Sequence, residues 1–241
     1  MMLLNENQMN FDNGMEEVLI NNYESILNQL NSKDNKNRHG LLVDNAFAVS
    51  GIKDKELDFY YTKFFEAKDL ILKKVDLKND YKKASSLQKA VYSKFIPKKH
   101  SPELSNAVKN YTSNCIGLTT IYSIFALNIG LDVELVTNNK GLHFFNKVII
   151  SDKEYYVDCV SDTPDENINK KNYEDYKVEI MLLKLTYGEV KGAKLSDLLS
   201  AVYRSRAYKE TTIDKKMELY KKALLINPED ELAKKFILKI K

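Results

Sequence analysis

The chain has 241 residues, 44% apolar and 29% charged, with a formal net charge of +3 and a pI near 8.5. That composition supports a sizeable core in a soluble globular protein, either one domain or a domain with an appendage. Lys and Asp/Glu are interspersed, and the balance is too mild to imply a nucleic-acid partner; Lys98-Lys99-His100 reads as a solvated face.

Two cysteines, Cys115 and Cys159, make no disulfide framework in a chain of this length. No Cys or His pair has zinc-ligand spacing, and the glycines are isolated, so neither a metal nor a phosphate-binding cofactor is expected. The start of the chain lacks a basic region followed by an apolar stretch, so no signal peptide is expected. The longest apolar run, Ile116 to Ile129, is shorter than the roughly 20 residues a bilayer needs. These features lead us to expect a cytoplasmic, reducing setting with no membrane partner.

Residues 1 to 14 are polar and irregular and are expected to be mobile. Met15 to Leu30 carries apolar residues at Val18, Leu19, Tyr23, Ile26, Leu27 and Leu30, a helical period. Asn31 to Gly40 reads as a charged, Asn-rich loop, in which His39 is expected to be exposed, as is His100 further on. Helical patterns return over Lys55 to Lys74 and Tyr81 to Phe95, with Pro97 closing the second. Within the first of these, Phe59, Tyr60, Tyr61, Phe64 and Phe65 read as helix packing and not as a base-stacking platform.

A helix led by Cys115 follows, ended by Gly130 in a C-terminal capping position. Three strand-like runs come next: Asp132 to Val136, His143 to Ile150 and Glu154 to Val160. Ser151-Asp152-Lys153 is short enough to join the last two as an antiparallel hairpin. Pro164 to Asp175 reads as a polar loop, and periodicity leaves Val178 to Tyr187 open between a strand and the start of a helix. From Leu195 onward the pattern is helical. The fold class is therefore α+β: a helical N-terminal layer, a central Cys-bearing helix packed on a small antiparallel sheet, and a helical C-terminal tail.

One cysteine, one histidine and one aspartate fall in an order that thiol chemistry can use. A thiol needs a base to become a thiolate, and the base needs a carboxylate to fix its tautomer. Cys115 stands at a predicted helix N-terminus, where Ser113 or Asn114 can cap and free N–H groups favour a thiolate. The same N–H groups can bind the oxyanion formed when a thiolate attacks a carbonyl, with the amide of Asn110 or Asn114 as a candidate second donor. Gly117 is expected to keep that helix mouth uncrowded. Side chains alternate on the third strand, so if Asp158 faces His143 then Cys159 points the other way, as a buried structural thiol. A lone cysteine in an apolar helix is ordinarily a small buried hydrophobe; the coincidence of three roles in order favours a site.

Cys115 on a helix, Gly130-Leu-Asp-Val-Glu134 leading into a strand, His143-Phe-Phe-Asn-Lys-Val148 and Tyr155-Tyr-Val-Asp158 together resemble the core of the transglutaminase-like superfamily, a papain-like arrangement. The resemblance covers roughly residues 80 to 160. It implies Cys115 as nucleophile, His143 as base and Asp158 as its orienter. Tyr203, Ala207, Tyr220, Ala223 and Pro228 resemble a single tetratricopeptide helical hairpin, with Arg204 where that hairpin usually has glycine. Residues 15–190 would then form the transglutaminase-like domain and residues 191–241 the tail, which must pack on the domain or on another chain because one repeat cannot bury its own face.

The implied activity is that of a peptidase, amidase or deamidase on a protein or peptide substrate, through an acyl-thioester. The chain departs from the family in having no tryptophan and a short Cys-to-His interval. The alternative is a catalytically inactive scaffold that binds a protein or peptide partner through its tail.

Overall fold

Every residue from Ile116 to Leu127 is buried, and a helix buried on all sides has to be the centre of its protein. In the computed structural model of the chain, residues 10–22, 25, 35–98, 101–138, 141–160 and 189–240 are described, with side chains from residue 40 within the second of the helices below. The expected features at Pro164 to Asp175 and Val178 to Tyr187, and His100, lie outside these residues.

The elements run α1 (Gly14–Asn21), α2 (Asn35–Ala48), α3 (Leu57–Leu72), α4 (Asp80–Lys94), β1 (Ile96–Pro97), α5 (Leu104–Asn110), β2 (Thr112–Ser113), α6 (Cys115–Asn128), β3 (Asp132–Asn138), β4 (Phe144–Ile150), β5 (Lys153–Val157), β6 (Val190–Gly192), α7 (Leu195–Lys209), α8 (Ile213–Ile226) and α9 (Glu231–Ile240). This is an α+β fold. The central helix is α6, packed by α2, α4 and α5 and by the sheet.

The apolar periodicities resolve into core faces. On α3, Tyr60, Phe64, Ala67 and Ile71 are buried, and Phe64 meets Phe47 and Phe125 at ring distances of 6.0 and 5.6 Å. The aromatic cluster is thus helix packing in part: Phe59 and Phe65, on the other face, are exposed. Gly130 ends α6 as expected, with φ +78. Leu131 N–H bonds the Ala126 carbonyl and Gly130 N–H the Leu127 carbonyl, which is the Schellman arrangement.

Among the described residues, four strands form an antiparallel sheet in the order β5-β4-β3-β6, and β1 and β2 form a short parallel pair. The β4–β5 hairpin closes through Ser151 and Asp152, both with positive φ (49 and 62), as a twist-matched two-residue turn requires. Two side-chain bonds fasten the sheet to α6: Thr119 Oγ1 to the Phe144 carbonyl at 2.9 Å, and Asn146 Nδ2 to Ser123 Oγ at 2.6 Å.

Several expectations are corrected. Residues 35–40, read as loop, are the first turns of α2, and His39 lies in that helix. The polarity of Asn35 to Gly40 hid a helix whose packing half begins at Leu42, where Leu42, Val43, Ala46 and Phe47 are buried. The short α5 went unrecognised. The third strand ends at Val157, so Asp158 follows it directly. Of the N-terminal stretch expected to be mobile, Asp12 pairs with Arg206 and Asn13 caps α1 through a 2.6 Å bond from Glu16 N–H.

The tail packs on the body. Tyr203, Ala207, Tyr220 and Ala223 are buried between α7 and α8. Fully buried Glu16 of α1 accepts from Tyr203 Oη at 2.8 Å and faces Lys222 Nζ at 3.2 Å, with Lys222 only 2% exposed. Lys222 is the nearer of two cations at Glu16, with Arg206 Nη1 at 3.9 Å, and a buried charge stripped of its close counterion is costly. We therefore expect Lys222→Met to lower stability by roughly 3 kcal/mol or more, and Glu16→Gln in that background to restore part of the loss, as read by urea unfolding.

Candidate active site

The first residue of α6 is Cys115, and local chemistry decides how it is presented. Asn114 is the N-cap, its Oδ1 accepting from Ile116 N–H at 3.0 Å and Gly117 N–H at 3.4 Å. The Asn114 N–H in turn donates to the Ser101 carbonyl, as does Ser113 Oγ, both at 2.9 Å. The cysteine is therefore held between a capped helix and the 101–103 segment, and it remains partly exposed. Among the described residues its own N–H has no hydrogen-bond partner.

Gly117 has a role different from the one expected. A Cβ there would lie 2.0 Å from Ser113 Oγ and 3.0 Å from the Pro102 carbonyl oxygen. The glycine does not keep a mouth open; it lets the 101–103 segment close against the first turn of α6.

His143 stands immediately before β4 and is set by its backbone. Its carbonyl accepts from Thr137 Oγ1 at 2.8 Å and Asn138 N–H at 3.2 Å, while its N–H donates to Asn138 Oδ1 at 3.3 Å. The next carbonyl, of Phe144, is the one Thr119 holds, and Thr119 lies one helical turn from Cys115. That single bond ties the histidine end of β4 to the cysteine end of α6.

The imidazole bridges the other two groups. His143 Nε2 is 2.8 Å from Asp158 Oδ2, and the ring is also hydrogen-bonded to the Cys115 side chain. The carboxylate is fixed as well: Val160 N–H donates to Asp158 Oδ1 at 2.9 Å, and Gln88 Nε2 donates to the Asp158 carbonyl at 3.0 Å. The histidine side chain is 13% exposed and the aspartate 6%, so the pair sits largely beneath the surface, and Cys115 is partly exposed.

Burial alone disfavours the imidazolium. The Asp158 carboxylate and the Cys115 sulfur outweigh it, and His143 is pushed up to about 10. Around neutral pH the ring is a cation between two acceptors.

Cys159 takes no part. It is 3% exposed, and burial pushes its thiol up, away from the thiolate. Asn110 is not brought to the site: it is exposed at the end of α5 and donates its amide to Asn106 Oδ1 at 2.6 Å. Asn114 adjoins Cys115, but its oxygen is occupied in capping and only Nδ2 is free to donate among the described residues. Sequence reading also missed Thr119, Asn138 and Gln88, which hold the three groups in place. Of these only Asn138 carries a local signal, as a turn-forming Asn before Gly141.

Among the described residues, no group of three or more His, Cys, Asp and Glu is placed to hold a metal ion, and no helix is long and apolar enough to cross a membrane. Compared with known proteins, the sequence matches no family model and no curated protein.

Two outcomes follow from this geometry. A histidine raised from 6.5 to about 10 on folding contributes stability that is complete below 6.5 and is lost as pH rises through about 10. The difference in Tm between the wild-type chain and His143→Gln is thus expected to be largest near pH 6 and to shrink steadily toward pH 10.5; a difference independent of pH contradicts the assignment. Thr119→Val is expected to cost about 1 kcal/mol in unfolding free energy and to slow alkylation of Cys115 at pH 6, because the histidine end of β4 loses its own tie to the cysteine helix and only the Asn146–Ser123 bond further along remains.

Proposed function

We propose that this chain is a thiol enzyme of transglutaminase-like type that cleaves or deamidates amide bonds through Cys115, His143 and Asp158. The observation that carries the reading is that one imidazole engages both other groups: the Asp158 carboxylate at 2.8 Å from Nε2 and the Cys115 side chain. A histidine charged for structural reasons alone needs the carboxylate; it does not need a partly exposed thiol at a helix N-terminus.

The chemistry then runs in two halves. The Cys115 thiolate attacks the amide carbonyl carbon, a C–S bond forms, and charge develops on the carbonyl oxygen. The Cys115 N–H, aided by the positive end of α6, is the donor that meets this oxyanion, with Asn114 Nδ2 as the candidate second donor. As the C–N bond breaks, the proton on His143 passes to the departing nitrogen, leaving a neutral imidazole and an acyl-thioester. That imidazole takes a proton from water, the resulting hydroxide attacks the thioester carbonyl, and the C–S bond breaks to return the thiolate and release the acid. Asp158 holds the ring throughout and stabilises its charged form.

The substrate class is a protein or peptide amide. The inactive-scaffold reading predicts no turnover and no dependence of thiol reactivity on His143.

The test combines a mixed peptide substrate, scored by mass spectrometry for cleavage and for glutamine or asparagine deamidation, with an electrophilic amide-mimic probe. Turnover and probe labelling are expected to vanish in Cys115→Ala and to fall by roughly 10² or more in Asp158→Asn. A Cys115→Ala chain that turns over peptide as the wild type does refutes the proposal.

A further inference from the structure

Besides Tyr203 on Glu16 and Arg206 on Asp12 and the Val49 carbonyl, helix α7 makes two further polar contacts with the body, through Arg204 and Lys209. Arg204 occupies a place where a tetratricopeptide-like first helix usually has glycine. Its side chain is only 12% exposed, and its Nε lies 2.8 Å from Asp230 Oδ2, an ion pair although the N–H is not aligned along it. Asp230 is itself immobilised, with its other oxygen accepting from Leu232 and Ala233 N–H at the start of α9. So anchored, the guanidinium extends Nη2 to the Gly141 carbonyl at 3.4 Å. Gly141 closes the turn after β3 by donating its N–H to the Asn138 carbonyl at 2.9 Å, and Asn138 Oδ1 receives the N–H of Leu142 and of His143. Arg204 therefore holds the turn from which the histidine emerges.

Five residues further along α7, Lys209 Nζ meets Glu103 Oε1 at 2.5 Å. Glu103 is buried, and its Oε2 has no partner among the described residues, so Lys209 is the cation that holds this carboxylate. Glu103 follows directly on Ser101 and Pro102, whose carbonyls receive Asn114 N–H and crowd Gly117, respectively. Lys209 thus holds the segment that buttresses the cysteine end of α6.

The two anchors are about 7.5 Å apart along one rigid helix. We infer that α7 is a brace for the site: Arg204 and Lys209 are positioning residues that fix the histidine turn and the cysteine buttress against each other, making the tail part of the reactive unit. This rests on the proposed reading of Cys115 and His143 as a reactive pair. It goes beyond that reading in assigning the tail to the site and not to a separate partner.

The test uses the full chain and needs no substrate: the iodoacetamide alkylation rate of Cys115 at pH 6 and at pH 10.5, located by peptide mass mapping. Arg204→Lys keeps the charge beside Asp230 but gives up the reach to Gly141, and Lys209→Gln removes a partly exposed cation. Each is expected to slow alkylation at pH 6 by roughly three- to tenfold, a fraction of the hundredfold that a misplacement near 1 Å can cost. The rate at pH 10.5, where thiols ionise without help, is expected to stay unchanged. Wild-type rates at both pH values in both variants overturn the brace and leave the proposed function standing. A wild-type chain whose Cys115 reacts no faster at pH 6 than in His143→Ala overturns the proposed function itself. Should Arg204→Lys lose its helical circular dichroism, Lys209→Gln decides alone, on the same criterion.

Discussion

Helix α6 is buried from Ile116 to Leu127, so the N–H groups of its first turn and the carbonyls of its last must find their partners inside the protein or at the helix ends. Its last turn closes on itself through Gly130 and Leu131, but its first turn needs outside acceptors for N–H groups that have no carbonyl behind them. Asn114 supplies an oxygen for two of them, the N–H of Cys115 has no partner among the described residues, and the Cys115 side chain is partly exposed. The location of the candidate site is thus a consequence of burying α6, and everything else adapts to it. Gly117 admits the 101–103 segment, Thr119 holds β4, and the sheet brings His143 and Asp158 over the same end.

Why the three groups converge can be followed through the sheet register. β4 and β5 pair with Asn146 opposite Val157, so the residue after β5 lies beside the strand end where His143 stands. The turn at Ser151 and Asp152 sets that register, and a one-residue slip would exchange the faces of Asp158 and Cys159. The buried thiol and the bonded carboxylate are therefore two readings of one hairpin geometry.

That hairpin, the cysteine helix and the histidine were legible in the sequence because each carries a local signature: a long apolar run with a capping glycine, alternating strands with a short polar turn, and reactive residue types in a usable order. The chain concealed elements whose signature is not local. Helix α5 has seven residues and ends at Tyr111 in the left-handed region, φ 52, where one looks for glycine. The first turns of α2 are polar and borrow their helicity from the packed half that follows. Thr119, Gln88 and Arg204 each act through one bond to a backbone carbonyl far away in sequence, and nothing about a threonine, glutamine or arginine announces such a partner. Asn110 failed as a candidate for a related reason: nearness to Cys115 in sequence does not bring an exposed amide at the end of α5 to the thiol.

The charge on His143 ties fold to chemistry. A buried imidazolium is a liability unless its neighbours are anionic, and here the ring has two neighbours, Asp158 and Cys115, that can carry negative charge. The arrangement stabilises a cation, so under the proposed chemistry the proton that a departing amine takes up is already on the ring before any bond is broken. It also means that removing either acceptor does more than delete a contact. Without Asp158 the ring loses one of the two groups that together outweigh its desolvation. Without the thiol the ring is left as a charged group paired on one side only. Under the proposed chemistry, the contacts that stabilise the charged ring are also those on which activation of the thiol rests.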